Sequence, residues 1–337
     1  MAVHLLSSTG SAMTLHDSFG RRIKYLRLSV TDRCNLRCQY CMPAEGVPKL
    51  RHEDVLSYEN LCRIARESVA LGIEKIRITG GEPLVRKGIV AFANRLASIA
   101  CLRELVLTTN GILLRELAAS LRRAGVNRLN VSLDSLKPEV FANVSRGGDL
   151  TRVLDGLDAA KEAGFPAPKI NVVVMRGVND SEIVDFAAFA AARACTVRFI
   201  EYMPTRGAQD WRNLAVTGLE ILSRLRDAYT LTPVKDESSS QPARNFRVEG
   251  SDGTVGVISP VSQHFCGTCD RIRVTASGIA KPCLFGNGGV DLKPHLASGD
   301  NELREVLRQL VWSKPDRHRL STNASEGAWV AMSQIGG

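Results

Sequence analysis

The sequence predicts an α/β protein built from repeated strand–helix units. Short runs rich in β-branched residues alternate with helical patterns from Leu26 to Tyr202, and the rhythm changes after that point. Strands joined by long crossovers pair in parallel, so six such runs predict a parallel sheet. Right-handed crossovers leave two architectures open, a doubly wound sheet and an incomplete barrel. At 337 residues, the chain is long enough for one large α/β unit or two domains.

A strand opens each predicted unit. The six strands are Leu26–Thr31, Lys75–Thr79, Glu104–Thr109, Arg128–Leu133, Lys169–Val174 and Thr196–Tyr202. The first connection, Leu61–Val69, has apolar residues at the spacing of one buried helix face, and Gly72 just beyond it is a suitable C-cap. Similar helical patterns occur at Ile89–Ile99, Leu113–Ala124, Val153–Ala163 and Glu182–Ala192.

The chain beyond Tyr202 has a different character. Residues 235–245 are polar and predict a surface loop. Two short strands, Arg247–Glu249 and Thr254–Ser259, are predicted to form a hairpin, and Glu302–Trp312 is predicted to be a helix. The predicted division is a flexible N-terminus at 1–20, an α/β unit at 21–235 and a C-terminal unit at 236–337.

Charge and composition narrow the class of partner. The chain carries 44 Lys and Arg against 35 Asp and Glu, a net charge of +9, but the basic residues are scattered among acidic ones. Scattered charge argues against nucleic acid and favours an anionic small molecule. No apolar run approaches the roughly 18 residues that cross a bilayer, and the first residues lack a secretory signal. We therefore expect a cytoplasmic protein with no membrane partner.

The strongest chemical signal is a CxxxCxxC motif formed by Cys34, Cys38 and Cys41 directly after the first strand. Nine cysteines, with six of them in two tight groups, do not resemble a disulfide framework in a chain this long. Three thiolates on one loop can hold three corners of a four-iron cluster and leave the fourth iron open to an outside ligand. The alternative is a structural zinc, for which His52 is the only nearby imidazole.

A second group, Cys266, Cys269 and Cys283, again offers three thiolates. A cluster with one open iron and a structural zinc completed by His264 or His295 are both compatible with it.

Two arginines follow the second group. Arg271 and Arg273 alternate on a predicted strand, so both project to one face and suit a phosphate-bearing ligand. The remaining cysteines, Cys62, Cys101 and Cys195, lie in or beside apolar segments and are predicted to be core residues.

Polar and glycine-rich motifs follow three predicted strands. They are Gly80-Gly81-Glu82-Pro83, Thr108-Thr109-Asn110-Gly111 and Ser132-Leu133-Asp134. Binding groups in a parallel α/β barrel gather at the carboxyl ends of the strands. These motifs are therefore expected to meet the first cysteine group at one edge of the sheet.

The CxxxCxxC motif with an aromatic residue, Tyr40, before its last cysteine resembles the radical SAM superfamily, and so does the Gly80–Pro83 turn. Within it, the chain resembles the GTP 3′,8-cyclase family from about Arg21 to Phe285 and at the closing Gly336-Gly337. The stretches that carry this resemblance are Leu26–Cys34, Arg77–Pro83, Lys169–Asn171, Arg198–Met203 and Cys269–Arg273.

The resemblance implies an incomplete six-stranded (βα)6 TIM-like barrel with a C-terminal extension that carries a second iron–sulfur cluster. It implies these site residues: Cys34, Cys38 and Cys41 for the [4Fe-4S] cluster that binds S-adenosylmethionine (SAM); Tyr40, Gly81, Ser132 and Met203 for SAM; Cys266, Cys269 and Cys283 for a second [4Fe-4S] cluster; and Arg27, Arg77, Thr108, Lys169, Arg271 and Arg273 for GTP. The Gly336-Gly337 tail would reach into the barrel.

The implied reaction is radical cyclisation of GTP to (8S)-3′,8-cyclo-7,8-dihydroguanosine 5′-triphosphate, the first step of molybdenum cofactor biosynthesis. The implied partners are an electron donor such as flavodoxin or ferredoxin, a hand-off to cyclic pyranopterin monophosphate synthase, and a possible homodimer. Two other functions stay open on the residues, a two-cluster radical SAM enzyme that modifies a peptide and a non-catalytic module with zinc at both cysteine groups.

Overall fold

The computed structural model describes residues 14–203, 211–234, 241–286, 288–318 and 332 of the chain. Six parallel strands form the centre of its sheet, each within two residues of its predicted limits: β1 (Tyr25–Ser29), β2 (Lys75–Thr79), β3 (Glu104–Thr109), β4 (Arg128–Ser132), β5 (Lys169–Val174) and β6 (Thr196–Glu201). Neighbouring strands from β1 to β6 all pair in parallel.

The strand order distinguishes the two predicted architectures. A doubly wound sheet reverses its order at a switch point, whereas β1 to β6 lie side by side in chain order. With right-handed crossovers, an order without reversal places the helices on one face, as in a barrel. In the described chain, β1 and β6 pair outward with β10 (Arg271–Val274) and β9 (Thr254–Ile258), so the sheet is not closed between them. The incomplete barrel is the better description.

The predicted helices between the strands are confirmed, with shifted ends. They are α1 (Tyr58–Ala70), α2 (Ile89–Ala97), α3 (Leu114–Arg123), α5 (Leu150–Glu162) and α6 (Ile183–Ala192). Helix α1 begins three residues before the predicted face because the Ser57 side chain accepts a hydrogen bond from the Asn60 N–H at 3.1 Å. Gly72 ends it as predicted, with a φ of 106° that favours glycine.

Four described α-helices have no counterpart in the sequence patterns: α4 (Pro138–Ser145), α7 (Trp211–Leu214), α8 (Gly218–Ala228) and α9 (Lys293–Ala297). Helix α4 follows the Ser135–Lys137 stretch and has proline at its first position. In the sequence, this combination resembles a turn more than the start of a helix. Helix α8 buries Ile221, Leu222 and Leu225 against the sheet. Tertiary packing stabilises such short elements more than their own periodicity does.

The prediction of a polar loop over residues 235–245 was wrong at its C-terminal end. Strand β8 (Ala243–Val248) begins inside it, while residues 235–240 lie outside the described chain. The predicted hairpin is confirmed, but its first strand is longer than Arg247–Glu249 because β8 pairs with β9 from Ala243 to Arg247. Strand β7 (Leu231–Pro233) pairs with the outer edge of β8.

The C-terminal segment completes the other end of the sheet. Strand β10 is followed by β11 (Ile279–Lys281), β12 (Val290–Asp291), α9 (Lys293–Ala297) and α10 (Asp300–Trp312), of which α10 was predicted. Helix α10 lies against α1, where Arg304 Nε contacts Glu67 Oε2 at 2.6 Å. The predicted C-terminal unit therefore shares one continuous sheet and one core with the α/β unit.

The described part of the predicted flexible N-terminus, residues 14–20, packs onto the fold. Leu15 and Asp17 are buried, and Asp17 Oδ2 contacts Arg21 Nε at 2.6 Å. Residues 1–13 lie outside the described chain. No helix among the described residues combines the length and apolar character needed to cross a membrane.

Candidate active site

The parallel strands present one apolar face and one polar face. Alternate residues such as Ile76, Ile78, Leu129 and Val131 belong to the hydrophobic core under the helices. The residues between them line two cavities inside the barrel: Arg27, Lys75, Arg77, Thr79, Glu104, Thr108, Arg128, Asn130, Ser132, Lys169, Asn171 and Arg198. Successive strand residues point to opposite faces, so this alternation makes the interior of the barrel polar and basic.

The first cavity lies at the carboxyl ends of the strands and has a volume of about 230 Å³. Its lining includes Cys34, Cys38, Cys41, Tyr40, Gly81, Ser132 and Met203, together with Arg27, Arg77 and Thr108. The structure therefore brings together the first cysteine group, every residue predicted to contact SAM and three of those predicted to contact GTP. Met332, near the C-terminus, also lines this cavity, whereas Gly336 and Gly337 lie outside the described residues.

Helix α4 holds the loop that carries the first cysteine group. The N–H groups of Arg37 and Gln39 donate to the carbonyl oxygens of Ser145 and Val144 at 3.1 and 2.9 Å. These carbonyls belong to the last turn of α4 and have no partner within the helix. Arg146, in a left-handed conformation, donates to the carbonyls of Arg37 and Met42. The loop is thus tied to the C-terminal end of α4 by hydrogen bonds at Arg37, Gln39 and Met42.

The environment of these cysteines suits a metal cluster. Burial raises the pKa of Cys34 to about 11 and raises that of Cys38 well above its usual value. Buried thiols of this kind stay protonated until a bound cation replaces the proton. The Asn110 side chain donates to Cys34 Sγ at 3.8 Å and to Asn35 Oδ1 at 2.7 Å, so the end of β3 also contacts this loop.

The positions of the sulfurs show whether either cysteine group is arranged for a single zinc ion. Zinc–sulfur bonds of about 2.3 Å in a tetrahedron bring the ligands to within about 3.8 Å of one another. Among the described residues, which include all six cysteines, neither group has its three sulfurs within 4.8 Å of one another. Cluster thiolates bind different irons and accept a wider spacing. The three sulfurs of neither group are therefore arranged to bind one zinc ion together.

The Gly80-Gly81 turn packs directly on the backbone that leads into the first cysteine group. The Gly81 N–H donates to the Thr31 carbonyl at 2.7 Å, and the Glu82 N–H donates to the Arg33 carbonyl at 2.8 Å. A methyl group on Gly80 would lie 2.7 Å from the Thr31 carbonyl oxygen, and one on Gly81 would collide with the Arg33 backbone. Both positions therefore need glycine for the turn to lie this close to the Thr31–Arg33 backbone.

Glu82 connects two of the strand ends. Its carboxylate accepts hydrogen bonds from the Leu84 N–H at 3.0 Å, the Thr109 hydroxyl at 2.8 Å and the Asn110 N–H at 2.7 Å. Burial raises the pKa of Glu82 to about 7, although these three donors favour the charged form. The bonds fix the Gly80–Pro83 turn against the end of β3.

Tyr40 is positioned by a buried carboxylate. Its hydroxyl donates to Asp134 Oδ2 at 2.9 Å, and Asp134 Oδ1 accepts from the Val173 N–H at 2.9 Å. Burial raises the pKa of Asp134 to about 6. The tyrosine ring is thereby held between the cysteine loop and the ends of β4 and β5.

The second cavity lies at the amino ends of the strands and has a volume of about 370 Å³. Eight cationic side chains line it against three carboxylates: Lys24, Lys75, Arg77, Arg103, Arg128, Lys169, Arg198 and Arg271, with Glu74, Glu104 and Asp270. Arg77, Asn171 and Ile200 line both cavities, so the two adjoin. A dominant positive charge in a partly dry space suits a polyanion.

The register explains how the arginines meet. Arg27 pairs with Arg77 on one side and with Arg273 on the other, so three guanidinium groups form a row across β2, β1 and β10. Burial lowers the pKa of Arg273 to about 10, and burial together with Arg273 and Arg77 lowers that of Arg27 well below its usual value. Arg77 Nε is buried and has no hydrogen-bond partner among the described residues. Buried positive charges so close together are unfavourable unless an anion binds beside them.

The positive charge of this row also affects the pKa of the neighbouring Tyr25. Burial by itself would raise the pKa of its hydroxyl, but nearby cations outweigh burial and lower it. The largest of these contributions comes from Arg77, followed by Arg27, Lys75 and Arg271.

Lys169 gives a pH-dependent prediction. Burial, followed by the charges of Arg198 and Arg128, lowers its pKa to about 7. A bound polyanion favours the protonated lysine, so GTP should bind best at and below pH 7 and up to about tenfold more weakly per pH unit above it. The Lys169→Arg variant carries a group that does not titrate in this range. Equilibrium dialysis with GTP from pH 6.5 to 8.5 should show a flatter profile for the variant, and equal slopes would contradict the prediction.

The second cysteine group lies beside β10, at the edge of the basic row. Burial raises the pKa of Cys266, whereas Lys314 and Arg271 outweigh burial at Cys269 and lower its pKa. Lys314 Nζ also donates to the carbonyls of Arg271 and Pro282 at 2.9 and 2.6 Å. A lowered thiol pKa favours the thiolate, the form that binds metals.

The structure also corrects and extends the predicted set. Cys62 and Cys195 are buried as predicted, but Cys101 is exposed, because the turn after α2 places it at a φ of 70° on the surface. The sequence patterns did not single out Lys75 or Arg128, which line the second cavity with Arg198. Their signal was available, since each occupies the same alternate positions as Arg77 and Lys169.

Comparisons with known proteins agree with this site. The sequence profile of the radical SAM superfamily matches residues 28–190, and the profile described as Molybdenum Cofactor Synthesis C matches residues 195–320. A curated GTP 3′,8-cyclase of Geobacter sulfurreducens is 61% identical over 326 residues, which cover 96% of this chain and 100% of that protein. One of Moorella thermoacetica is 46% identical over 328 residues, with the same coverage of 96% and 100%.

Solved structures show a similar fold at low identity. SuiB of Streptococcus suis bound to S-adenosylmethionine matches with a TM-score of 0.62 and 14% identity, covering 86% of this chain and 66% of that chain. Native anSMEcpe with bound AdoMet matches with a TM-score of 0.57 and 15% identity, covering 90% and 84%. These likenesses concern the fold alone. Since a curated GTP 3′,8-cyclase is 61% identical over nearly its whole length, the chain belongs to the GTP 3′,8-cyclase family of radical SAM proteins.

Proposed function

We propose that this protein converts GTP to (8S)-3′,8-cyclo-7,8-dihydroguanosine 5′-triphosphate, the first step of molybdenum cofactor biosynthesis. The observation that carries the proposal is the adjacency of the two cavities. One has three cysteines and the residues expected to bind SAM, and the other has eight cationic side chains that suit a triphosphate. The names of the curated relatives and the Molybdenum Cofactor Synthesis C match support the same reaction.

In this proposal each cavity has its own ligand. Cys34, Cys38 and Cys41 hold a [4Fe-4S] cluster, and Tyr40, Gly81, Ser132 and Met203 contact SAM. When bound, the cluster and SAM would supply a 5′-deoxyadenosyl radical that takes the ribose 3′ hydrogen atom and leaves as 5′-deoxyadenosine. C3′ would then bond to guanine C8, and one electron from the external reductant and one proton would convert the resulting purine radical to the 7,8-dihydro product. Arg77, Asn171 and Ile200 line both cavities, which supports a continuous path between them.

The chain's own residues bind and orient the nucleotide. The triphosphate carries about four negative charges, and Lys169, Arg271 and the neighbouring cations of the second cavity neutralise them in a partly dry space. Arg27, Arg77 and Thr108 then face the ribose from the first cavity, where Arg77 Nη1 donates to Thr108 Oγ1 at 3.2 Å. Fixed placement of C3′ near C8 and exclusion of water are what the protein contributes to the ring closure.

A second [4Fe-4S] cluster on Cys266, Cys269 and Cys283 belongs to the proposal. Its support is the lowered pKa of Cys269, which favours the metal-binding thiolate. Its open iron would bind the guanine edge, with Arg273 nearby in the basic row. The Gly336-Gly337 tail is proposed to reach the barrel, which the position of Met332 in the first cavity supports.

An anaerobic assay tests this function. The protein with about eight irons per chain should convert GTP, SAM and a strong reductant to 5′-deoxyadenosine and a cyclised nucleotide. GTP with deuterium at the ribose 3′ position should transfer the label to 5′-deoxyadenosine. If only a peptide stimulates SAM cleavage, the protein is instead a peptide-modifying enzyme. Stoichiometric zinc without SAM cleavage would mean a non-catalytic metal module.

The remaining partners stay predictions. They are flavodoxin or ferredoxin as electron donor, direct hand-off to cyclic pyranopterin monophosphate synthase, a homodimer, and a cytoplasmic location. Product release into solution at the rate of turnover would argue against the hand-off.

A further inference from the structure

We propose that His264, Cys266 and His318 form a binding site for a divalent transition-metal ion, with Zn²⁺ the best fit. The site is separate from the first cysteine group and shares Cys266 with the second. It goes beyond the proposed cyclase reaction, which uses neither histidine.

The three side chains already converge. One ring nitrogen of each histidine and the Cys266 sulfur all lie within 4.8 Å of one another, a spacing that neither cysteine group reaches among the described residues. His264 Nδ1 and His318 Nε2 are 3.0 Å apart, and each is 3.0 Å from the Pro260 carbonyl oxygen. Tetrahedral zinc with bonds of about 2.0–2.1 Å places two nitrogen ligands about 3.4 Å apart. The two nitrogens therefore need to move apart by only a few tenths of an ångström.

Either ring nitrogen of a neutral imidazole can be the one with the lone pair, so each histidine can offer one nitrogen to a metal ion. The facing nitrogens of His264 and His318 and the Pro260 carbonyl oxygen lie at mutual distances of 3.0 Å. A metal ion placed between the rings and the thiolate would accept the lone pairs of both facing nitrogens, and each ring would then keep its proton on its other nitrogen. One thiolate with two imidazoles is a ligand set that zinc favours, and it leaves a position for water.

The fold holds these residues without help from a cluster. Glu201 Oε2 accepts from the N–H groups of Val261 and Ser262, at 3.2 and 3.0 Å, which fixes the segment just before His264. Arg21 Nη1 donates to the Cys266 carbonyl at 2.8 Å. The His318 ring packs edge-on to Phe285, with ring centres 4.9 Å apart. The site is therefore largely formed before any metal arrives.

The sharing of Cys266 has a consequence that rests on the proposed second cluster. Cys266 cannot bind both a cluster iron and a zinc ion in this geometry, so the two occupancies exclude each other. Zinc bound to the cluster-free protein should therefore block assembly of the second cluster and leave the first one unaffected.

Zinc affinity of the full-length, cluster-free chain tests the site. The parent is the variant Cys34→Ser/Cys38→Ser/Cys41→Ser, which removes the first group, and the dissociation constant is measured by competition with a chromophoric chelator. His264→Ala and His318→Ala should each weaken Zn²⁺ binding at least about tenfold, whereas Cys283→Ser should change it by less than about twofold. His264→Asn replaces the alanine variant if circular dichroism shows that the latter is unfolded.

Iron–sulfur reconstitution of the same variants gives the opposite pattern. Cys283→Ser should lose the second cluster, and His264→Ala should keep it. Co²⁺ bound in place of Zn²⁺ should show the charge-transfer absorption of one thiolate rather than three. Equal loss of zinc affinity in Cys283→Ser and His264→Ala would overturn the proposal, and so would histidine variants with unchanged affinity. None of these measurements requires GTP, so a failed cyclase assay would leave the metal site untouched.

Discussion

Replacing Arg271 with alanine is expected to weaken GTP binding by about 1.5–3 kcal/mol, or roughly 10- to 150-fold, while SAM cleavage without substrate continues. The reason is the location of Arg271. In the described chain, this residue lines the second cavity and not the first. Its side chain is 13% exposed, and its Nε donates to Asp270 Oδ1 at 3.2 Å, so the guanidinium is held in place before GTP arrives.

The companion variant Arg77→Ala should behave differently. Arg77 lines both cavities and donates to Thr108, so its loss should weaken GTP binding and also disturb the wall of the first cavity. Arg95→Ala is the matched control, because Arg95 lies on the outer face of α2 and pairs with Glu59 at 2.7 Å. Anaerobic equilibrium dialysis gives the GTP affinity, and 5′-deoxyadenosine formation without GTP gives the uncoupled cleavage. If Arg271→Ala abolishes both, Arg271 is structural and its place in the phosphate site is wrong.

Local patterns were sufficient for the parts of the fold whose stability is decided locally. The six parallel strands follow from short runs rich in β-branched residues between helical patterns, and α1 follows from one apolar face. The pairing of β1 with β10 and of β6 with β9 joins segments far apart in the chain. No local pattern contains that information. The early start of β8 has the same origin, because its pairing with β9 outweighs its polar composition.

The site divides in a similar way. Cysteine spacing and the turns at strand ends predicted a first cavity that the structure assembles from those residues. The sequence patterns predicted fewer residues of the basic cavity than the structure shows. A lysine or arginine within a strand, such as Lys75 or Arg128, resembles a solvated surface residue in the sequence alone. Only the strand register places these two side chains inside the barrel. The pair His264 and His318 depends on tertiary contact across 54 positions and has no sequence signature.

The second large effect is expected from Gly81→Ala, which should reduce iron incorporation at the first cysteine group and weaken SAM binding. A methyl group at this position would collide with backbone atoms of Asp32 and Arg33, directly before Cys34. Backbone cannot move aside as the end of a flexible side chain can, so the cysteine loop itself must shift. Overpacking of this kind costs about 1–3 kcal/mol, which corresponds to roughly 5- to 150-fold in SAM affinity if the shift falls on the binding geometry.

Gly267→Ala provides the control for Gly81→Ala, because it adds the same methyl group between Cys266 and Cys269, where no atom lies within 4 Å and φ is not positive. It should leave iron content, SAM affinity and thermal unfolding near those of the unmodified protein. Iron and sulfide analysis after anaerobic reconstitution, with SAM affinity by equilibrium dialysis, distinguishes the two variants. Unchanged iron and SAM binding in Gly81→Ala would show that the turn can move away from the cysteine loop, and the close packing of these two segments would then have no role in holding the cluster.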